Sequence, residues 1–301
     1  MNTKVTEKSI ADLLSPATDF SDINAGSEDA FSKVVFDLYR ETAIVIVLSA
    51  SLHESFDQKE GVLSRNQAIG AGLVIRIVKF MKAIMALLVD KVSEHGEVVM
   101  ALNRCITESA TNLKFFCEKA NVEDFEEFIK SSLKPEKEMY AFLQEKIKRR
   151  GSILPIETRM LKSITGVFKI SGIAETEIDK LIIPRRKDYK TILTALDMES
   201  IYPMLQGIQS HSIHGSWVDL VKHHIEEVDS GFRPTPESVT PDPRLLCPIN
   251  VFVLMAVESY IRKYFPENDK GISVLLIRIT DLIKRLTKIE SLHEEKLSKN
   301  S

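Results

Sequence analysis

Along most of this chain apolar residues recur at three- and four-residue intervals, the period of a helix that buries one face. The clearest stripe is Ile69, Leu73, Ile77, Phe80, Ile84 and Leu88. It predicts a helix from a Ser64 cap to residue 95, with Gly96 as its stop. An earlier helix is expected from Ser27, a hydroxyl just before Glu28 and Asp29, to residue 56. Leu102, Ile106, Leu113 and Phe116 mark a third helix over 98–119. Asn121, followed by Glu123 and Asp124, caps a fourth. Pro135 suits the opening turn of a fifth, which ends in Lys146, Lys148, Arg149 and Arg150 before Gly151. Shorter helices are expected over 155–170, 175–181 and 189–196.

Farther on, the pattern over 200–226 is helical but interrupted by Pro203, Gly207 and Gly215. Pro234, Pro236, Pro241 and Pro243 make 229–244 a loop. Two last helices are expected over 248–265 and 272–299, the second striped by Leu275, Ile279, Leu282, Leu286 and Ile289. No stretch alternates with period two between hairpin turns, and no repeat of fixed length stands out. These patterns predict an all-α multi-helix bundle with helical N- and C-terminal extensions and no significant sheet. Its expected divisions are an extension over 1–26, a helical domain over 27–266 and an amphipathic C-terminal helix over 267–301. The stripe of that last helix reads first as packing and second as the seam of a homodimer.

Composition adds limits. A chain of 301 residues, 44% hydrophobic and 28% charged, builds a sizeable core without metal or disulfide. A net charge of -3 and a pI near 6.2 argue against a dedicated nucleic-acid binder but leave room for a local basic patch. Cys105, Cys117 and Cys247 are widely spaced and form no CxxC, which suits free thiols in a reducing compartment. The first residues, MNTKVTEKSIADLL, hold no apolar run of the signal-peptide kind. The longest apolar candidate, 68–89, is interrupted by Arg76, Lys79 and Lys82, whereas a spanning helix needs about 20 apolar residues. No membrane insertion is expected, and the expected location is the cytoplasm.

The chain lacks a phosphate loop, a dinucleotide fingerprint, HExxH and GxSxG. Two polar constellations remain. Arg104, Glu108 and Asn112 fall four apart on one stripe of the third helix, among apolar neighbours. A guanidinium buried there needs a partner, which a carboxylate one turn on supplies. The bland reading is a structural ion pair on a solvated helix face, since paired charges mark sites only statistically.

The second constellation is Ser210-His211-Ser212-Ile213-His214-Gly215-Ser216-Trp217, which gathers two histidines, three hydroxyls and the sole tryptophan. Imidazole there can act as a base, a metal ligand or a hydrogen-bonded core group. Two histidines fall short of a structural zinc set unless Asp219, His223 and His224 bend inward, so no metal or cofactor is expected. A helix junction held by side-chain-to-backbone bonds is the other explanation of this run. The basic runs at 146–150 and 185–190 would grip phosphate if they met, though a cationic helix end also simply complements the helix dipole.

In their order and spacing, the Arg104/Glu108 step and the Ser210/His214/Gly215/Ser216 step resemble the uncharacterised bacterial family called domain of unknown function 5677. The resemblance covers roughly residues 35–265 and includes the proline-rich loop and the helix after it. It implies a fold and a site location but no activity. Two functions are therefore carried. In one, the protein is a binding or interaction module, with an RNA or a protein as partner. In the other, it is a metal-independent ribonuclease of a bacterial defence or toxin type, with His214 as base and Arg104 stabilising the phosphorane. Helical nucleases of that style place an arginine shortly before a histidine, and no arginine lies between Arg186 and His224. Arg104 would thus have to reach His214 across helices, with Glu108 as the third catalytic group. Asn112, Ser210, His211 and Ser216 would complete the binding surface.

Overall fold

The computed structural model describes residues 28–52, 62–88, 95–214, 216–235, 243–267 and 269–300. The expected N-terminal extension and the Ser27 cap lie outside the described residues, as does Gly215. In chain order the helices are α1 (Glu28–Ser51), α2 (Arg65–Leu88), α3 (Gly96–Glu118), α4 (Val122–Ser132), α5 (Lys134–Arg150) and α6 (Pro155–Ile170). After them come α7 (Tyr189–Ala195), a π turn (Pro203–Gly207), α8 (Ile208–His214) and α9 (Trp217–His223). Strands β1 (Ile225–Val228) and β2 (Gly231–Pro234) then precede α10 (Pro243–Tyr264) and α11 (Lys270–Asn300). The fold is all-α apart from that small hairpin.

The chain forms two compact units. One joins Met1–Lys119 to Tyr189–Ser301, and the other is Ala120–Asp188. In the first, α3 packs against α2 and α10, while α1 and α11 close the bundle. Its core runs through Leu38, Ile46, Ile77, Ile84, Ile106, Leu113, Val257, Tyr260 and Leu282. Gly70 allows a close approach here, since a Cβ on it would lie 3.3 Å from the rings of both Tyr260 and Tyr264. The stripe of α11 (Leu275, Ile279, Leu282, Leu286, Ile289) is wholly buried within the chain. In the second unit α4, α5 and α6 enclose Leu133, Tyr140, Leu143, Ile164, Phe168 and Ile178.

Local chemistry explains most helix limits. Ser64 and Gln67 form a reciprocal cap on α2, the Ser64 amide donating to Gln67 Oε1 at 3.0 Å and the Gln67 amide to Ser64 Oγ at 3.4 Å. Asn121 and Asp124 do the same for α4 at 2.9 Å each way. Gly151 ends α5 at φ +75°, a left-handed conformation that costs glycine little.

Several expectations are corrected. Gly96, expected as a stop, is the first residue of α3, and residues 89–94 before it lie outside the described residues. The segment expected as a helix over 175–181 holds only a 3₁₀ turn, Glu175–Glu177. The π turn runs directly into α8, so Gly207 does not break the helical path. The last part of the 200–226 helix and the start of the loop are an antiparallel hairpin, pairing Ile225 with Pro234 and Val228 with Gly231. Its four-residue strands are too short for alternation to register, and Gly231 at φ +148° closes the turn.

A buried carboxylate ties α1 to α11. Glu41, 5% exposed, accepts from Arg278 Nη2 and from Arg285 Nη2, each at 2.7 Å. Asp281 adds a second carboxylate 2.9 Å from Arg285. Removing one partner of such a buried pair leaves charge uncompensated, which costs about 3–5 kcal/mol. Glu41→Ala should therefore lower the unfolding free energy by about 3 kcal/mol in urea titration. A loss under about 1 kcal/mol would show that Asp281 and solvent suffice.

Candidate functional site

The expected Arg-Glu step and the serine of the second constellation meet in space. Arg104, buried on α3, donates from Nε to Glu108 Oε1 at 3.0 Å, and its Nη2 lies 2.9 Å from the same oxygen. Its Nη1 crosses to the other segment, donating to Ser210 Oγ at 2.8 Å and to the Gln206 carbonyl at 3.1 Å. Ser210 Oγ in turn donates to the same Gln206 carbonyl at 2.7 Å. A π turn tilts carbonyls off the regular helical ladder, and here the Leu205 and Gln206 carbonyls face hydroxyl and guanidinium donors from α3. Thr107 Oγ1 lies 3.3 Å from both the Leu205 carbonyl and Gln209 Oε1.

The next turn of α3 continues the polar seam. Thr111 Oγ1 donates to the Thr107 carbonyl at 2.8 Å and lies 2.9 Å from the Tyr189 hydroxyl. Burial holds the Tyr189 phenol above its ordinary value, so it stays protonated. The Arg104 guanidinium sits 5.7 Å from the centre of the same ring. Thr107, Thr111, Tyr189 and Gln209 are the members that the sequence reading missed. Their signal is in the sequence: Thr107 and Thr111 are four apart, beside the stripe of Arg104, Glu108 and Asn112. Asn103 also belongs to that row and is fully buried, with neither end of its amide hydrogen-bonded.

The remaining site candidates lie differently. Asn112 is buried on α3. His211 Nδ1 and Ser216 Oγ are 2.8 Å apart, and Ser216 caps α9 by accepting from the Asp219 amide at 3.4 Å. This bond links α8 to α9 across the junction. His214, one turn beyond Ser210, is exposed and makes no hydrogen bond or ion pair to a described residue. Arg104 and Glu108 are therefore joined to Ser210 and not to His214. A second histidine has the carboxylate neighbours: His224 Nε2 lies 3.2 Å from Glu97 Oε2 and 3.8 Å from Asp219 Oδ2. Among the described residues no group of three or more His, Cys, Asp or Glu side chains is arranged to hold a metal ion.

A notch of about 500 Å³ opens between α3 and α10, lined in part by Lys114, Cys117, Glu118, Ser259 and Lys263. Its polar groups close on one another. Lys114 Nζ and Ser259 Oγ each donate to Glu118 Oε1 at 2.5 Å, and Lys263 Nζ donates to the Phe116 carbonyl at 2.7 Å. Burial pushes the Cys117 thiol up to about 12, which favours the protonated thiol over the thiolate. Burial alone would raise the Glu118 carboxyl, but the hydrogen bonds from Lys114 and Ser259 outweigh it and hold the group below its ordinary value.

Two measurements follow from this geometry. Arg104→Ala strips a charged donor from a buried carbonyl and a hydroxyl and should cost about 2 kcal/mol, against about 1 kcal/mol for Ser210→Ala. In a double-mutant cycle read by urea unfolding, the pair should couple by about 1 kcal/mol; strict additivity would mean that the bond contributes nothing. For Glu118, a depressed carboxyl stabilises the fold above its unfolded value of about 4.3 and loses that contribution as pH falls. The stability gap between wild type and Glu118→Gln, open at pH 7, should narrow progressively as pH falls below about 4.3. A gap independent of pH would contradict the ion pair.

No curated protein and no solved structure matches this chain. A family model does, over residues 67–232, more than half of the chain. Both polar constellations lie inside those residues, and the chain belongs to the Family of unknown function (DUF5677).

Proposed function

We propose that this chain is a non-enzymatic binding module, in which the Arg104 cluster locks the register of α8 and α9 and thereby presents an apolar surface to a partner. The observation that carries this reading is the inversion of α9. Its buried side chain is Asp219, while Trp217, Val218, Leu220 and Val221 all face water. Trp217 is 60% exposed and meets Phe232 of β2 edge-on at 5.4 Å, with Ile213 of α8 also exposed. A contiguous apolar surface rimmed by polar groups is characteristic of interaction sites, and tryptophan anchors are enriched among binding hot spots.

Arg104 serves this surface from a distance. It fixes the π turn and Ser210, and the His211–Ser216 bond carries that placement into α9. The ribonuclease alternative fits less well. Glu108, Ser210 and the Gln206 carbonyl already engage the guanidinium that would stabilise a phosphorane, and His214 forms no hydrogen bond with it.

The test sets two variants beside the wild type. Trp217→Ser with Phe232→Ser should keep the fold, by circular dichroism and melting temperature, and lose at least one protein that immobilised wild type retains from a cell extract. His214→Ala should match wild type in melting temperature, with no RNA cleavage by either protein. Identical retained proteins for wild type and the double variant would remove the basis of the binding reading. Cleavage by wild type that vanishes in His214→Ala would establish the nuclease instead.

A further inference from the structure

The second unit carries a different exposed feature, at the turn between α5 and α6. Residues 151–156 read Gly-Ser-Ile-Leu-Pro-Ile, and every one is exposed. Ile153 and Ile156 are each 50% exposed and Leu154 is 43% exposed. A run of aliphatic side chains at the tip of a helical hairpin has no role in the fold's own packing, because the core of this unit lies farther back, around Leu143, Ile164 and Phe168. Soluble surfaces rarely tolerate such runs unless something covers them.

Cations surround the tip. Lys146, Lys148, Arg149 and Arg150 occupy the last turns of α5, and Arg159 and Lys162 the first turns of α6, all exposed. Within 142–162 the only carboxylates are Glu145 and Glu157, and they already pair with Arg149 and Arg150. The Leu154 amide, at 2.9 Å, and then Arg150 hold the Glu157 carboxyl below the ordinary carboxylate range, so it stays charged and bound in the turn. The tip is thus rigidly built, with Gly151 in its left-handed conformation turning the chain and Pro155 starting the next helix. Lys146 lies over the exposed Phe142 ring at 4.5 Å, one turn back along α5.

We propose that this tip docks the protein on an anionic lipid surface, with Ile153, Leu154 and Ile156 entering the interface and the ring of lysines and arginines meeting the headgroups. Charge complementarity selects an anionic partner, since the cations outnumber the carboxylates and the carboxylates are already paired. The aliphatic character of the tip then selects lipid over nucleic acid. Single-stranded RNA is held by aromatic stacking, and residues 151–156 contain no aromatic residue and no amide side chain. Aliphatic side chains ringed by lysine and arginine are instead the composition of interfacial anchors, which bind by apolar burial together with attraction to anionic lipid. Such docking needs no spanning segment, and among the described residues no helix is long and apolar enough to cross a membrane.

The experiment is vesicle co-sedimentation of the full chain. Vesicles of phosphatidylcholine with 30% phosphatidylglycerol are compared with pure phosphatidylcholine, at low salt and at 0.5 M salt. The expected result is binding to the anionic vesicles alone, weakened at least tenfold by the higher salt. Ile153→Ser, Leu154→Ser and Ile156→Ser combined should weaken it at least tenfold while circular dichroism stays unchanged, as substitution of exposed side chains allows. Lys148→Glu with Arg149→Glu should do the same. Failure to sediment with anionic vesicles overturns the proposal, and so does binding that the triple serine variant retains in full. A single-stranded RNA binding to wild type and triple variant alike, with no vesicle binding, would assign the cationic ring to nucleic acid and likewise overturn it.

Discussion

A buried guanidinium decides how the two halves of the candidate site are held. Arg104 projects from the helix at the centre of the first unit, where its charge is costly unless partners replace water. Glu108 supplies the opposite charge from the same helix, and alone it would fix nothing beyond a single turn. What gives the arginine structural reach is its other edge, which donates to Ser210 Oγ and the Gln206 carbonyl more than a hundred residues away. A planar fork with several donors satisfies both sides at once, as a lysine ammonium in its place could not. The π turn is the counterpart: it sets two carbonyls toward α3 within one short stretch.

From that pin the chain of consequences is short. Ser210 sits on α8, His211 bonds to Ser216, and Ser216 caps α9. Each of these bonds is modest, about 1 kcal/mol in net terms. Their joint effect is orientation: α9 is held with Asp219 inward and its apolar side chains outward. An isolated seven-residue helix has little stability of its own and would not keep such an unfavourable face without external support. The exposed tryptophan also meets Phe232 of the hairpin edge-on at 5.4 Å, so an apolar contact accompanies the polar bonds at this short helix.

Much of this was legible in the residues, for identifiable reasons. Capping is a short-range matter, so Ser64, Asn121 and Gly151 announce the helix limits that the structure has. The i, i+4 step of Arg104 and Glu108 is fixed by helix geometry alone. That Arg104 lies beside Ser210 is in keeping with the site location that the family resemblance implied, though the same expectation had included His214. What stayed hidden is what depends on tertiary context. Pro203 and Gly207 read as breaks because both disfavour a regular helix, whereas a π turn accommodates them. The hairpin after α9 has strands of four residues, shorter than any periodicity can reveal. His214 drew attention by type, and its exposure could not be read from its neighbours. Pro248 looked like the start of a helix but lies inside α10, which begins at Pro243. The edges of the second unit, at 120 and 188, fall between helices that share the same pattern, so composition gives no boundary there.

The extent of the family match bears on how the site is built. Residues 67–232 include α3, the whole second unit, the π turn and α8 to β1. They leave out α1, α10 and α11, yet α3 packs closely on α10, and α1 and α11 complete the same core. Ile106 and Leu113, on the faces of α3 turned toward that core, are almost wholly enclosed. Stripped of α10 and α11, the segment would expose a broad apolar face on the helix that carries Arg104. The polar seam would then lose the low-dielectric surroundings that make a guanidinium–hydroxyl bond worth more than its hydrated equivalent. The matched residues therefore hold the Arg104 cluster together with nearly all of α2, on which α3 packs, while α1, α10 and α11 outside the match complete the same core.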